Sequence, residues 1–159
     1  DGTPDSGFVI GFDTGAAPFA HTLHLVPRVV HLGIGCRKGT DAQTIEQAAQ
    51  AALNSAGVPW EAVRGVASID VKQNEPGLLR FCEVHGLPLT VFSAETLQAV
   101  SGDFTPSDFV TRTVGVDNVC ERAAVCAAAG GALLCRKTAQ NGVTTALAQQ
   151  DFRACFEEE

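Results

Sequence analysis

The segment 33–40, GIGCRKGT, combines glycines, two adjacent cations, a thiol and a hydroxyl. A β-branched apolar run precedes it and a helical pattern follows, so it is predicted to be a strand-to-helix turn. The N–H groups and dipole at a helix start, with nearby cations, would cradle a phosphate or carboxylate. A plain turn with two solvated cations explains the pattern equally well. The candidate anion-binding residues are Gly33, Gly35, Cys36, Arg37, Lys38, Gly39 and Thr40.

Cys36 has two possible roles within this turn. A thiol near a helix N-terminus and two cations is expected to have a lowered pKa, which favours the nucleophilic thiolate. The favoured interpretation is a small residue that fills the turn.

A second group of charges lies in SIDVKQNEPG, residues 68–77. Asp70, Lys72 and Glu75 follow the end of a predicted strand, and an acid beside a base can serve as a proton donor and acceptor. These three are candidate catalytic residues. A surface ion pair with helix-capping acids is the alternative of equal weight.

The third group is VDNVCERAA, residues 116–124, where two charges sit in an Ala-rich helical pattern. Charges packed against other elements are costly unless they are paired. Glu121 is a candidate catalytic residue and Arg122 a candidate substrate-binding residue. A purely structural salt bridge is as well supported.

Metal and disulfide sites are not favoured by the spacing of the ligand-type residues. The six cysteines include no CxxC pair, so reduced and mostly buried thiols are predicted. His21, His24 and His31 alternate with apolar residues but match no known ligand spacing. No metal site and no cofactor are expected.

The composition excludes several classes of protein. Hydrophobic residues make up 45% of the 159 residues, enough for one sizeable core. The net charge of −7 includes three consecutive glutamates at the end, and no basic stripe suggests nucleic-acid binding. No apolar run approaches the roughly 20 residues of a membrane span. Without an initial methionine or a leader-like start, an excised domain of a longer cytoplasmic protein is expected.

The three charged segments lie within a chain whose sequence alternates between strand and helix patterns. They predict an α/β fold, a three-layer α/β/α arrangement with a mixed, mostly parallel sheet. Because 33–40 and 68–77 each follow a strand, the two loops are expected to share one edge of the sheet. Glu121 is expected to face Arg37 or Lys72 there. Strands are predicted at 29–35, 63–69, 89–92, 132–137 and 143–148, and helices at 40–57, 75–86, 93–100 and 117–130.

Several local signals refine this outline. Thr40 is predicted to cap the first helix with Gln43, and Asn141-Gly142 to close a hairpin. The β-like runs 8–12 and 21–28 form either a hairpin or the edge of a neighbouring domain. The predicted organisation is a linker or interdomain segment at 1–24, a domain at 25–150 and an acidic tail at 151–159.

The order and wording of the motifs resemble one family over about residues 25–148. LVPRVVHLGIGCRKGT, SIDVKQNEPGL, LTVFSAETL, VGVDNVCERAAV and LLCRKTAQNGVTTALA together resemble the C-terminal domain of the CbiG/CobE family of cobalamin (vitamin B12) biosynthesis. The resemblance implies the same three-layer fold. It also implies a domain of a hydrolase acting on a carbon–carbon bond, which opens the lactone of cobalt-precorrin-5A and releases acetaldehyde.

The resemblance further implies a corrin-ring intermediate as substrate, with cobalt present only as part of that substrate. Other domains of a longer CbiG-type parent chain would be its partners. A non-catalytic, CobE-like module that binds or carries a corrinoid is the alternative. An unrelated phosphate-binding domain is the third hypothesis.

Overall fold

A five-stranded mixed sheet forms the centre of the computed structural model, which describes residues 2, 4–106 and 116–156. A separate two-stranded sheet precedes it. The order in the large sheet is β5-β4-β3-β7-β6. The strands are β1 (Ser6–Ile10), β2 (His21–Leu25), β3 (Val30–Cys36), β4 (Val63–Ile69), β5 (Leu89–Phe92), β6 (Ala132–Gln140) and β7 (Val143–Gln149).

The sheet has one strand of opposite direction. β3, β4 and β5 run parallel to each other, whereas β7 pairs antiparallel with both β3 and β6. β6 therefore points the same way as the parallel strands, and the predicted mixed, mostly parallel sheet is confirmed.

Helices cover both faces of this sheet. Val66 of β4 packs in one core with the first two helices, whereas its neighbour Ala67 packs in a second core with the last two. Because successive side chains of a strand point to opposite faces, these two cores mark the two sides of the sheet. The helices are α1 (Ala42–Ala56), α2 (Pro76–His85), α3 (Ala94–Gln98) and α4 (Val119–Ala127).

Most of the predicted helix and turn signals are confirmed. Gly57 ends α1 in the left-handed conformation, Pro76 begins α2, and Ser93 caps α3. Asn141 and Gly142 both have positive φ, as the tight turn between β6 and β7 requires.

The predicted cap of α1 is wrong by one residue. Asp41 is the N-cap, and its carboxylate accepts a hydrogen bond from the backbone N–H of Thr44. Thr40 instead donates its hydroxyl hydrogen bond to the carbonyl of Arg37. A carboxylate is available one position nearer the helix, and the threonine hydroxyl is held by the preceding turn.

The N-terminal strands do not form a hairpin, which was one of the two predicted arrangements. β1 and β2 pair in parallel, with Ser6 opposite His21, because residues 11–20 carry the chain back to the starting end before β2 begins. The segment 1–24, predicted to be a linker or interdomain segment, thus contains β1 and most of β2. The domain boundaries themselves stay predictions.

In the part of the chain that the structure describes, no helix has the length and apolar character needed to cross a membrane.

Candidate functional site

A cleft of about 1110 Å³ opens at the edge of the sheet where β3 and β4 end. The predicted loops 33–40 and 68–77 both contribute to it, and the hairpin between β6 and β7 forms a further wall. The start of α4 adds Val119. The lining comprises Gly35, Cys36, Arg37, Lys38, Gly39, Ile69, Val71, Lys72, Asn74, Glu75, Pro76, Val119, Lys137, Ala139, Gln140, Asn141, Gly142, Val143 and Thr144.

The charged side chains give this cleft a positive lining. Arg37 and Lys38 come from the first loop, Lys72 from the second and Lys137 from β6, whereas Glu75 is the acidic residue among the described lining. α2 and α4 begin at Pro76 and Val119, which both line the cleft, so the positive ends of two helix dipoles lie beside it. The arrangement favours an anionic ligand.

Glu75 joins the two loops. Its Oε1 accepts a hydrogen bond from the Gly39 N–H at 2.7 Å, and its Oε2 lies 3.6 Å from Lys72 Nζ. The glutamate is 8% exposed. It occupies the N-cap position of α2, but its side chain makes no capping bond there, so the helix-capping alternative is wrong for this residue.

The remaining residues of the first loop have mainly structural tasks. Gly39 adopts a φ of 81°, a conformation that favours glycine. Gly35 lies under the hydroxyl of Thr144, and Thr40 lies outside the lining. Gly33 also lies outside it, because the backbone of α4 packs directly against this glycine.

Cys36 lines the cleft, but the predicted lowering of its pKa is wrong. Burial raises the pKa of the Cys36 thiol; the Lys72 ammonium lowers it and the Glu75 carboxylate raises it, both by less. The cost of desolvating a thiolate therefore exceeds the effect of the nearby cation. This favours the turn-filling interpretation over the nucleophile.

Cys36 should consequently react slowly with iodoacetamide at neutral pH. A raised pKa leaves less thiolate at a given pH, so the midpoint of its alkylation profile should lie above that of free cysteine. Mass spectrometry of the peptide containing Cys36, alkylated over a range of pH with free cysteine as the reference, measures this midpoint. A midpoint below the reference would restore the nucleophile hypothesis.

Asp70 and Glu121 also lie outside the lining of the cleft. Asp70 is the first residue of the short 3-10 helix Asp70–Lys72, and its backbone oxygen accepts a hydrogen bond from the Gln73 N–H. Glu121 is fully buried, with hydrogen bonds from Thr105 and the backbone of Lys137. The prediction that Glu121 faces Arg37 or Lys72 is therefore wrong, because β6 and the segment around Thr105 provide its donors.

Arg122 forms a structural salt bridge, which was the alternative to substrate binding. Its guanidinium lies 2.9 Å from the Asp117 carboxylate and donates hydrogen bonds to the carbonyls of Leu97 and Val100. It also stacks over the ring of Phe104, 4.6 Å from the centroid. These contacts fasten the start of α4 to the end of α3.

Lys137 is the lining cation that the sequence analysis missed. Its strand was predicted, and so was the turn at Asn141-Gly142. The pairing of β7 with β3, which brings this hairpin to the cleft, had no local signal.

Nothing in the described ranges points to a metal centre. Among residues 2, 4–106 and 116–156, no group of three or more His, Cys, Asp or Glu side chains is placed to hold a metal ion. The six cysteines are free thiols, as the spacing predicted. Only Cys82 and Cys120 are buried, however, so the prediction that most of the thiols are buried is wrong.

Comparisons with known proteins give this arrangement a family. The model of the family described as "Cobalamin synthesis G C-terminus" matches residues 30–148. The chain is 33% identical over 123 residues to the cobalt-precorrin-5A hydrolase of Salmonella typhimurium, a match that covers 77% of this chain and 35% of the relative. The chain thus spans about a third of the length of this hydrolase and of the cobalt-precorrin-5A hydrolase of Priestia megaterium.

Shorter relatives match over more of their length. Protein CobE of a Sinorhizobium species is 34% identical over 119 residues, which cover 74% of this chain and 77% of the relative. The crystal structure of a CobE from the cobalamin biosynthetic pathway superposes with a TM-score of 0.73 at 28% identity, covering 80% of this chain and 94% of that one. The chain therefore belongs to the family of cobalamin synthesis G C-terminal domains.

Proposed function

We propose that this chain is the domain of a cobalt-precorrin-5A hydrolase that holds the corrin-ring substrate while its lactone is opened and acetaldehyde is released. The observation that carries the proposal is the cationic cleft between the two loops and the β6–β7 hairpin. The reaction is inferred from the relatives that are named cobalt-precorrin-5A hydrolase.

The lining suits a macrocycle fringed with acetate and propionate groups. Arg37, Lys38 and Lys137 offer charge-assisted hydrogen bonds to carboxylates, and arginine can engage a carboxylate through two parallel bonds. Val71, which is 65% exposed, adds apolar surface to the same cleft. Such a surface fits the flat, apolar face of the ring.

Lys72 and Glu75 are the residues proposed for the chemistry. Opening a lactone needs an attacking water, a proton acceptor and a group that stabilises the negative charge on the carbonyl oxygen. The ammonium of Lys72 is suited to that charge. Glu75 Oε2, which lies 3.6 Å from Lys72 Nζ, is the oxygen proposed to accept the proton of the attacking water.

A second candidate is a non-catalytic module that binds or carries a corrin intermediate. The observation in its favour is the fuller match to CobE, which covers 77% of that protein, against 35% of the Salmonella hydrolase. Both candidates use the same cleft, and they differ in whether Lys72 and Glu75 act on the ligand. Membership of the family removes support for an unrelated phosphate-binding domain.

Lys72→Ala should slow acetaldehyde release by about 100-fold, the effect of removing one group that stabilises an oxyanion. The assay uses cobalt-precorrin-5A and a chimeric hydrolase in which this chain replaces the matching segment of the Salmonella relative. Arg80→Ala is the matched control, because Arg80 is an exposed cation of α2 paired with Glu83 outside the cleft.

The control should retain the rate of the unsubstituted chimera. Equal rates for Lys72→Ala and the unsubstituted chimera would contradict the catalytic role of Lys72. An inactive chimera that still binds the substrate would favour the carrier function.

A further inference from the structure

The strand β6 is irregular at the point where it meets the cleft. Cys135 lies opposite Leu147 and Thr138 opposite Thr145, so β6 advances by three residues where β7 advances by two. The extra residue makes a β-bulge in the stretch that contains Lys137. Bulges interrupt the ladder of hydrogen bonds and redirect side chains, often beside functional sites.

The buried carboxylate of Glu121 binds the backbone of this bulge. Its Oε1 accepts a hydrogen bond from the Lys137 N–H at 2.6 Å, and its two oxygens accept bonds from the hydroxyl and N–H of Thr105 at 2.8 and 3.0 Å. Glu121 is 0% exposed. A buried carboxylate is costly unless donors surround it, so these bonds fix its position firmly.

Asn118, just before α4, also holds the glutamate in place. Asn118 Oδ1 accepts a hydrogen bond from the Glu121 N–H at 3.1 Å, and Asn118 Nδ2 donates one to the Thr105 carbonyl at 2.8 Å. Asn118, Glu121 and Thr105 thus form one buried network that ends on the bulge of β6. The bulge is held to a helix as well as to β7.

We infer that Glu121 is a positioning residue that directs Lys137 into the cleft, where Lys137 binds a carboxylate of the ligand and contributes to specificity. The inference rests on the proposed function for the identity of the ligand. Glu121 thereby contributes to the cleft without touching the ligand. The inference also explains how Lys137, in a strand that carries no recognisable site motif, contributes a cation to the lining.

The hydrogen bond from the Lys137 N–H to the Glu121 carboxylate, here called the tether, can be tested in the chain without any ligand. The Lys137 amide proton, bonded to a carboxylate, should resonate far downfield in the NMR spectrum and exchange slowly with solvent. Glu121→Gln preserves the shape of the side chain but removes its charge, and it should move this resonance upfield and speed exchange. A wild-type Lys137 amide at an ordinary position overturns the tether, even if the Glu121→Gln variant does not fold.

The consequence for binding is tested by a double-mutant cycle with cobyrinic acid, a corrin whose side-chain carboxylates are free. Lys137→Gln and Glu121→Gln should each weaken binding about tenfold, and the double variant should bind no more weakly than Lys137→Gln alone. Arg136→Gln is the matched control, because this neighbouring cation binds Asp103 and lies outside the lining. It should bind like the wild type.

The outcomes separate this inference from the proposed function. Wild-type affinity in Glu121→Gln, or losses that multiply to about 100-fold in the double variant, would overturn the positioning role. Failure of the wild-type chain to bind cobyrinic acid would overturn the ligand assignment, while the amide resonance of Lys137 would still decide the tether.

Discussion

Gly33→Ala is expected to lower the free energy of unfolding by about 3 kcal/mol or more, the effect of forcing extra atoms into a packed core. A Cβ at this position would lie 1.9 Å from the carbonyl oxygen of Cys120 in α4. Neither backbone can move without separating the helix from the sheet. The melting temperature should fall by roughly 10 °C in a differential scanning experiment under reducing conditions.

Gly35→Ala is the matched control for this clash. Its new Cβ would meet the Thr144 hydroxyl at 2.6 Å, and this side-chain atom can rotate away whereas the backbone of α4 cannot. The control should therefore lose much less stability. Equal melting temperatures for Gly33→Ala and the wild type would show that α4 does not pack against β3 as described.

Removing three cations from the cleft should produce the largest effect on binding. In the triple variant Arg37→Gln, Lys38→Gln and Lys137→Gln, affinity for cobyrinic acid should fall about 1000-fold. A charge-assisted hydrogen bond contributes about 1.5 kcal/mol or more, which is roughly tenfold for each cation. Isothermal titration calorimetry measures the three losses singly and together.

A triple variant with three other cations replaced controls for the change in net charge. Arg80, Arg136 and Arg64 lie outside the lining, so their substitution by glutamine should leave affinity within about twofold of the wild type. Equal losses in the two triple variants would attribute binding to net charge and contradict a built carboxylate site.

The elements of the fold were predictable because their signals are local. Alternating hydrophobicity, Gly57 at the end of α1 and Asn141-Gly142 between two strands each depend on neighbouring residues. The partners of the strands were not predictable in the same way. The parallel pairing of β1 with β2 and the insertion of β7 beside β3 depend on contacts between distant segments.

The candidate site likewise contains residues that could be placed from the sequence and residues that could not. Arg37, Lys72 and Glu75 follow strands that leave the sheet at one edge, so topology alone brings them together. Glu121 could not be placed from its helix, because its donors come from Thr105 and from a bulge in β6 that no local pattern marks. The burial that raises the Cys36 pKa likewise depends on the assembled cleft.

The most direct test of the central claim is a titration of the wild-type chain with cobyrinic acid and with cobinamide, the corrin whose side chains are amidated. The cationic cleft predicts at least tenfold tighter binding of cobyrinic acid at low salt. Added salt should reduce this preference, because it screens the attraction between the cations and the carboxylates. Equal affinities for the two corrins, or no binding of cobyrinic acid, would contradict a corrin polycarboxylate site in this cleft.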